Sequence, residues 1–146
     1  MKILVTGGAG YIGSHTVKQL GEAGGFDITV LDNLTTGFED SILFGRLVRA
    51  DLSDFAFVEK FLLDEKFDAI IHFAASIVVP ESVENPLKYY MNNTVNTTNL
   101  VRCAINAGVK YFIFSSTAAV YGEPVEGVVT EESQLLPINP YGFSKL

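Results

Sequence analysis

A chain of 146 residues, with 48% hydrophobic residues, 18% charged ones and eleven phenylalanines, has the material for one well-filled core. A compact domain of that length buries roughly 70% of the surface its unfolded chain exposes. Its net charge of −7 argues against non-specific binding to nucleic acid or to an anionic membrane surface, since each needs a positive patch. No apolar run approaches a membrane span. A phosphate-bearing ligand would have to be gripped locally, by backbone N–H groups and a helix dipole.

The amino terminus opens as Met-Lys-Ile-Leu-Val-Thr-Gly-Gly, with neither a charged-then-apolar leader nor a small-residue cleavage site, so a cytoplasmic protein is expected. Lys2 to Thr6 is a short apolar run ending at Gly7, which predicts a strand. Tyr11 to Ala23 then carries helical spacing through Ile12, Val17, Leu20 and Ala23, and Gly24-Gly25 ends it. Ile28 to Asp32 is rich in β-formers again. Leu47 to Ala50 is a third strand, Phe55 to Leu63 a helix behind a capping Asp54, and Ala69 to Phe73 a buried fourth strand. Asn85-Pro86 starts a long helix that runs to Ala107 and stops at Gly108, with proline at its first position and glycine just past its end. Tyr111 to Ser115 is a fifth strand. Regular alternation of this kind implies right-handed crossovers and a Rossmann-like, doubly wound α/β sheet of parallel strands with helices on both faces.

Some residues invite a chemical reading that their surroundings do not support. Cys103 has no partner for an internal disulfide, and beside Val101 and Ala104 it reads as a small buried hydrophobe. His15 and His72 lack metal-ligand spacing, so structural roles and no metal are expected. The acceptor-type strings at Asn33, Asn92 and Asn96 read as chance matches.

In a sheet of this class, ligands bind beyond the carboxyl ends of the strands. The first such turn is Thr6-Gly-Gly-Ala-Gly-Tyr-Ile-Gly13. Its glycines at 7, 10 and 13 give GxxGxxG, and those at 8, 10 and 13 give GxGxxG. Such a turn lets backbone approach a pyrophosphate, and the bare Gly13 lets helix pack on strand. Asp32, at the end of the second strand, can accept hydrogen bonds from a ribose diol and would repel a 2′-phosphate, which favours NAD over NADP. Asp51-Leu52 ends the third strand, where the acid could reach an adenine amino group and the leucine could cover the ring. A helix-capping or solvated Asp fits that position as well. Phe73-Ala74-Ala75 ends the fourth strand with small residues that let a bulky cofactor pass. Ser115-Ser116-Thr117 ends the fifth with hydroxyls, where capping is the usual role.

Tyr141 and Lys145 lie four apart, the spacing that stacks two side chains on one helix face. An ammonium group one turn from a phenol stabilises the phenolate and so favours proton transfer.

Assembled, these stretches resemble the extended short-chain dehydrogenase/reductases, and within them the nucleotide-sugar 4-epimerases. The resemblance is carried by VTGGAGYIGSH, LDNLTTG, ADLSD, IIHFAA, PLKYYMNNTVNTTNLV, FSSTAAVYGEP and PYGFSKL. It implies an NAD cofactor held by Gly7, Gly10, Tyr11, Ile12 and Gly13 in the turn, by Asp32 and Asn33 at the adenosine ribose, and by Asp51 and Leu52 at the adenine. Phe73, Ala74, Ala75, Asn92 and Ser115 line its channel. The same resemblance makes Tyr141 the catalytic base, has Lys145 assist it and bind the nicotinamide ribose, and has Thr117 hydrogen-bond the sugar's 4-hydroxyl. The implied substrate is a UDP-hexose, and the implied reaction a C4 epimerisation through a 4-keto sugar.

Two departures from the pattern matter. Sugar-nucleotide dehydratases carry acidic residues where this chain has Ala118 and Ala119, and alanine can neither remove a C5 proton nor expel water. Ile77 stands where some epimerases have a basic residue at the cofactor phosphates, which implies weaker NAD retention. Family members continue for roughly as much chain again, so residues 1–146 are expected to be an incomplete NAD-binding domain. A substrate domain would follow residue 146, and the fifth strand would be a bare apolar edge. The long helix makes a homodimer of the longer protein an expected partner state. A 4-reductase or dehydrogenase with net redox change, and a non-catalytic NAD-binding module, remain open as alternatives.

Overall fold

The computed structural model describes residues 1–124 and 127–146. Five parallel strands form one sheet: β1 (Lys2–Thr6), β2 (Asp27–Asp32), β3 (Arg46–Arg49), β4 (Ala69–His72) and β5 (Tyr111–Phe114). Their spatial order is β3-β2-β1-β4-β5. Val5 faces Val30 on one side and Ile71 on the other, so the middle of the central strand, Ile3 to Val5, is apolar. The strands are parallel: helical crossovers follow β1, β3 and β4, while β2 reaches β3 through a loop with a 3₁₀ turn at Glu39–Ser41. Those crossovers carry α1 (Tyr11–Ala23), α2 (Phe55–Glu65), α3 (Val79–Glu84), α4 (Pro86–Tyr89) and α5 (Asn96–Asn106), and α6 (Pro140–Lys145) follows β5.

The chain divides into two compact units. One comprises Met1–Ala74 with Thr98–Ser115, the other Ala75–Thr97 with Ser116–Leu146. In the first, side chains alternate across the sheet, as a two-residue period requires. Ile3, Val5, Val30 and Ala69 pack with Val17 of α1, while Leu4, Leu31 and Ile70 pack with Val58 and Leu62 of α2 and with Leu100, Cys103 and Ala104 of α5. The sheet is therefore covered on both faces. Cys103 is buried in the second of these layers, and burial pushes its thiol above the usual range. His72 is buried too; its Nδ1 lies 2.6 Å from Thr6 Oγ1 and its ring stacks on Phe114.

Helix ends follow local chemistry. Asp54 accepts from Phe57 N–H at 3.0 Å, capping α2 as the sequence suggests, and α2 runs two residues past Leu63 before Lys66 ends it in a left-handed conformation. Asn85 caps α4 by accepting from Lys88 N–H.

Expected strand boundaries shift by one residue, and β2 starts at Asp27 rather than Ile28. β3 starts and ends one residue earlier than Leu47–Ala50, β4 stops at His72 rather than Phe73, and β5 stops at Phe114 rather than Ser115. The expected single helix from Asn85-Pro86 to Ala107 is instead α4, a π-helical turn at Tyr90–Val95, and α5 ending at Asn106. A 3₁₀ turn at Ala118–Tyr121 and the short α3 carry no periodic signal in the sequence. Among the described residues, no helix is long and apolar enough to cross a membrane.

Candidate functional site

In the first unit, the glycine-rich turn follows β1 directly. Gly7 has φ +70°, a conformation that L side chains rarely adopt. A Cβ at Gly13 would lie 2.2 Å from the Gly7 carbonyl oxygen and 2.7 Å from Gly8 Cα. The bare position thus closes the turn on itself, where the sequence suggested helix-on-strand packing. Tyr11 to Gly13 open α1 with N–H groups that have no preceding helical carbonyl to bind, and no acidic side chain sits in that first turn. The arrangement suits an anion. Tyr11 and Ile12 hold their side chains out to solvent, which leaves their amides as the binding groups.

Asp32 is buried at the end of β2. Its Oδ2 accepts from Ala9 N–H at 3.0 Å and its Oδ1 from Leu34 N–H at 2.9 Å. The carboxylate is thereby anchored to the turn and to Leu34, whose φ of 59° is left-handed. Each oxygen keeps a second lone pair for a hydroxyl donor. Asn33 donates to Asp51 Oδ2 at 2.6 Å, while Ser53 donates to Asp51 Oδ1 through its N–H at 2.8 Å and its hydroxyl at 2.6 Å. Ser53 first, then Asn33, hold the Asp51 carboxyl below the usual range, so it stays an acceptor at neutral pH. Leu52 is buried in the core with Leu31 and Cys103. Ala74 backbone packs against Gly7, where a Cβ would come within 2.5 Å of Ala74 N. Phe73 is half-buried and donates its N–H to Thr6 O, and Ser115 N–H bonds His72 O.

The second unit holds Ala75, Asn92, Thr117, Tyr141 and Lys145. Tyr141 and Lys145 share α6, which Asn139 caps by accepting from Gly142 N–H at 2.8 Å. The helix rests on the 3₁₀ turn that Thr117 caps; Thr117 Oγ1 accepts from Ala119 N–H at 3.2 Å. Approach is close enough that a Cβ on Gly142 would stand 2.6 Å from Ala119 O. The Tyr141 ring meets the buried Tyr89 ring edge to face at 6.3 Å, and its N–H donates to the buried Ser82 Oγ at 3.1 Å. Its hydroxyl has no hydrogen-bond partner among the described residues. Lys145 exposes only 5% of its surface, and burial pulls its amine down to about 8.

Several supporting residues were not anticipated. Buried Asn93, in the π-helical turn, accepts from Ser76 N–H at 2.8 Å and donates to Ser76 O and to Ser144 Oγ, both at 2.9 Å. Ser144 in turn donates to Tyr141 O at 2.8 Å. Asn92, the residue singled out in sequence, donates to Ser76 Oγ at 2.9 Å and accepts from Asn96. Ser116 donates to Lys145 O at 3.3 Å. The only available signal was the asparagine-rich string itself, which does not distinguish Asn92 from Asn93.

A family model described as the NAD dependent epimerase/dehydratase family matches residues 3–146. The chain belongs to that family. It is 49% identical over 147 residues to the UDP-glucose 4-epimerase of Lactobacillus helveticus, covering all of this chain and 44% of the relative. It is 47% identical to that of Azospirillum brasilense, with 99% and 42% coverage. Among solved structures, the UDP-Glc/GlcNAc 4-epimerase of Campylobacter jejuni superposes with a TM-score of 0.95 at 57% identity, over 99% of this chain and 45% of that one. The UDP-glucose 4-epimerase of Brucella ovis in complex with NAD superposes with a TM-score of 0.93 at 42% identity, over 99% and 44%. The chain thus spans less than half the length of the relatives it matches. NAD is the family's cofactor, and the open glycine turn and anchored Asp32 fit a dinucleotide.

Proposed function

We propose that the whole protein is an NAD-dependent enzyme that epimerises C4 of a nucleotide-activated hexose of the UDP-glucose/UDP-galactose type. The observation that carries this reading is the Tyr141–Lys145 helical turn, seated on the Thr117 cap, with a phenol hydroxyl that no described protein group occupies. In this scheme Tyr141 takes the proton of the C4 hydroxyl, and Thr117 hydrogen-bonds the same oxygen. NAD supplies, when bound, a hydride acceptor that can give the hydride back. The sugar, as a 4-keto species, turns its other face before Tyr141 returns the proton, so no net oxidation results. Ala118 and Ala119 supply no acid or base for a competing elimination.

Gly7, Gly10, Tyr11, Ile12 and Gly13 hold the pyrophosphate, Asp32 and Asn33 the adenosine ribose, and Asp51 and Leu52 the adenine. Phe73, Ala74, Ala75, Asn92 and Ser115 line the channel, and Tyr141 and Lys145 also hold the nicotinamide ribose. With an exposed Ile77 and no cation at that position, NAD is held more weakly in this reading, and the spectrum of the purified whole protein before and after dialysis tests it.

Whole protein given UDP-galactose should form UDP-glucose at constant NADH absorbance. Stoichiometric NADH formation would instead assign a nucleotide-sugar 4-reductase or dehydrogenase, and NAD binding without any turnover a non-catalytic module. Tyr141→Phe should abolish turnover while NAD still binds through the glycine turn, Asp32 and Lys145; full activity in that variant removes the assigned base. The 146-residue chain alone is inactive in this reading, and turnover by it would overturn that part. The proposed setting is cytoplasmic. The proposed partner is a second copy, supported by exposed Leu87, Met91 and Val95 at four-residue spacing and tested by sedimentation of the whole protein.

A further inference from the structure

The side-chain nitrogen of Asn99, on α5, is buried without a hydrogen-bond partner among the described residues, and the residue is only 7% exposed. Its carbonyl oxygen accepts from the Arg102 guanidinium at 2.8 Å, with Cys103 Sγ at 3.9 Å. A guanidinium only donates, so this contact fixes the amide's orientation and leaves the NH₂ as the unsatisfied end. A buried donor without an acceptor is costly. Folds retain one where a ligand or an ordered water supplies the acceptor.

The topology says which ligand is near. Just beyond the C-terminal end of α5, Lys110 N–H bonds Asp68 O at 3.0 Å, immediately before β4. α5 therefore runs antiparallel to the strands, and Asn99, near its start, lies toward their carboxyl ends. One turn further along, Cys103 shares a core with Leu31, Leu52, Ala50 and Ala74, which come from the carboxyl ends of β2, β3 and β4. Beside them stands Asp51, charged and suited to accept from an amino group. Adenine also presents ring nitrogens that need a donor, and neither the Asp51 carboxylate nor the Leu52 side chain can provide one.

We infer that the Asn99 amide donates to an acceptor ring nitrogen of the cofactor's adenine, which makes Asn99 a determinant of base specificity. The inference rests on the NAD-binding reading above. It is tested by calorimetric titration of nucleotide-free whole protein with NAD and with its 1-deaza, 3-deaza and 7-deaza adenine analogues. Asn99→Leu should weaken NAD binding about tenfold, the scale of one net hydrogen bond. Because leucine also gives up the Arg102 and Cys103 contacts to the amide oxygen, the melting temperature of the nucleotide-free variant serves as the control that the fold persists. One analogue, lacking the contacted nitrogen, should bind wild type and variant alike. Asn99→Asp, which keeps the shape and the Arg102 contact but has no donor, repeats the test if the leucine variant folds poorly. Equal NAD affinity in wild type and variants, or an equal penalty across all three analogues, overturns the inference and leaves a buried water as the partner. Absence of NAD binding by wild type removes the cofactor reading itself.

Discussion

Lys145 is a lysine placed where its charge is disfavoured: burial lowers its amine to about 8 from an ordinary 10.5. It is still mostly protonated at pH 7, so the nucleotide-free fold carries the desolvation cost of the ammonium there. As the pH rises, the folded form releases its proton at about 8 while the unfolded chain holds it to 10.5. Stability is therefore gained across that window and lost as pH falls back through about 8. Lys145→Met removes the cost at neutral pH. Denaturant unfolding should find this variant more stable than wild type at pH 7, with the gap closing toward pH 10.5; a gap that ignores pH would show that burial does not govern the lysine. Asp51 is the opposite case, a carboxylate held charged by Ser53 and Asn33, and both settings suit residues that must meet a ligand in a defined protonation state.

At the scale of elements, the π-helical turn at Tyr90–Val95 aims Asn93 at Ser76 and Ser144. A helix advances about 100° per residue, so an extra residue in one turn reorients every side chain beyond it. Deleting Thr94 should restore α-helical hydrogen bonding, keep the far-ultraviolet helix signal, and free Ser76 N–H to exchange its hydrogen at least tenfold faster; unchanged exchange would show that Asn93 does not depend on the π turn. This device was illegible in the sequence, because a π turn has no propensity signature and Asn92 and Asn93 look alike. β1, β2, α1 and the cap at Asp54 were legible because apolar period, terminal glycines and a capping acid agree there. α3 escaped notice because its six residues mix two exposed valines with Pro80, two glutamates and a buried Ser82 and so show no helical stripe. At the candidate site, Asp32 and the glycine turn could be read from the motif, whereas Ser82, Tyr89 and Ser144 act through long-range contacts that no local pattern encodes.

At the scale of the molecule, β5 pairs with β4 alone. Tyr111 and Ile113, on one face of this edge strand, are 59% and 57% exposed. A row of unpaired backbone groups beside exposed apolar side chains is a template for association, and parallel sheets seldom leave such an edge bare. The 146-residue chain should therefore self-associate at micromolar concentration, and Ile113→Lys should reduce its light scattering several-fold; equal scattering in both would locate the sticky surface elsewhere. The two compact units are also woven from alternating stretches, with the path passing from one to the other after Ala74, Thr97 and Ser115. Neither is a contiguous segment that a gene fusion could lift out, so a single protease nick near Thr97 leaves both fragments missing a piece of each half.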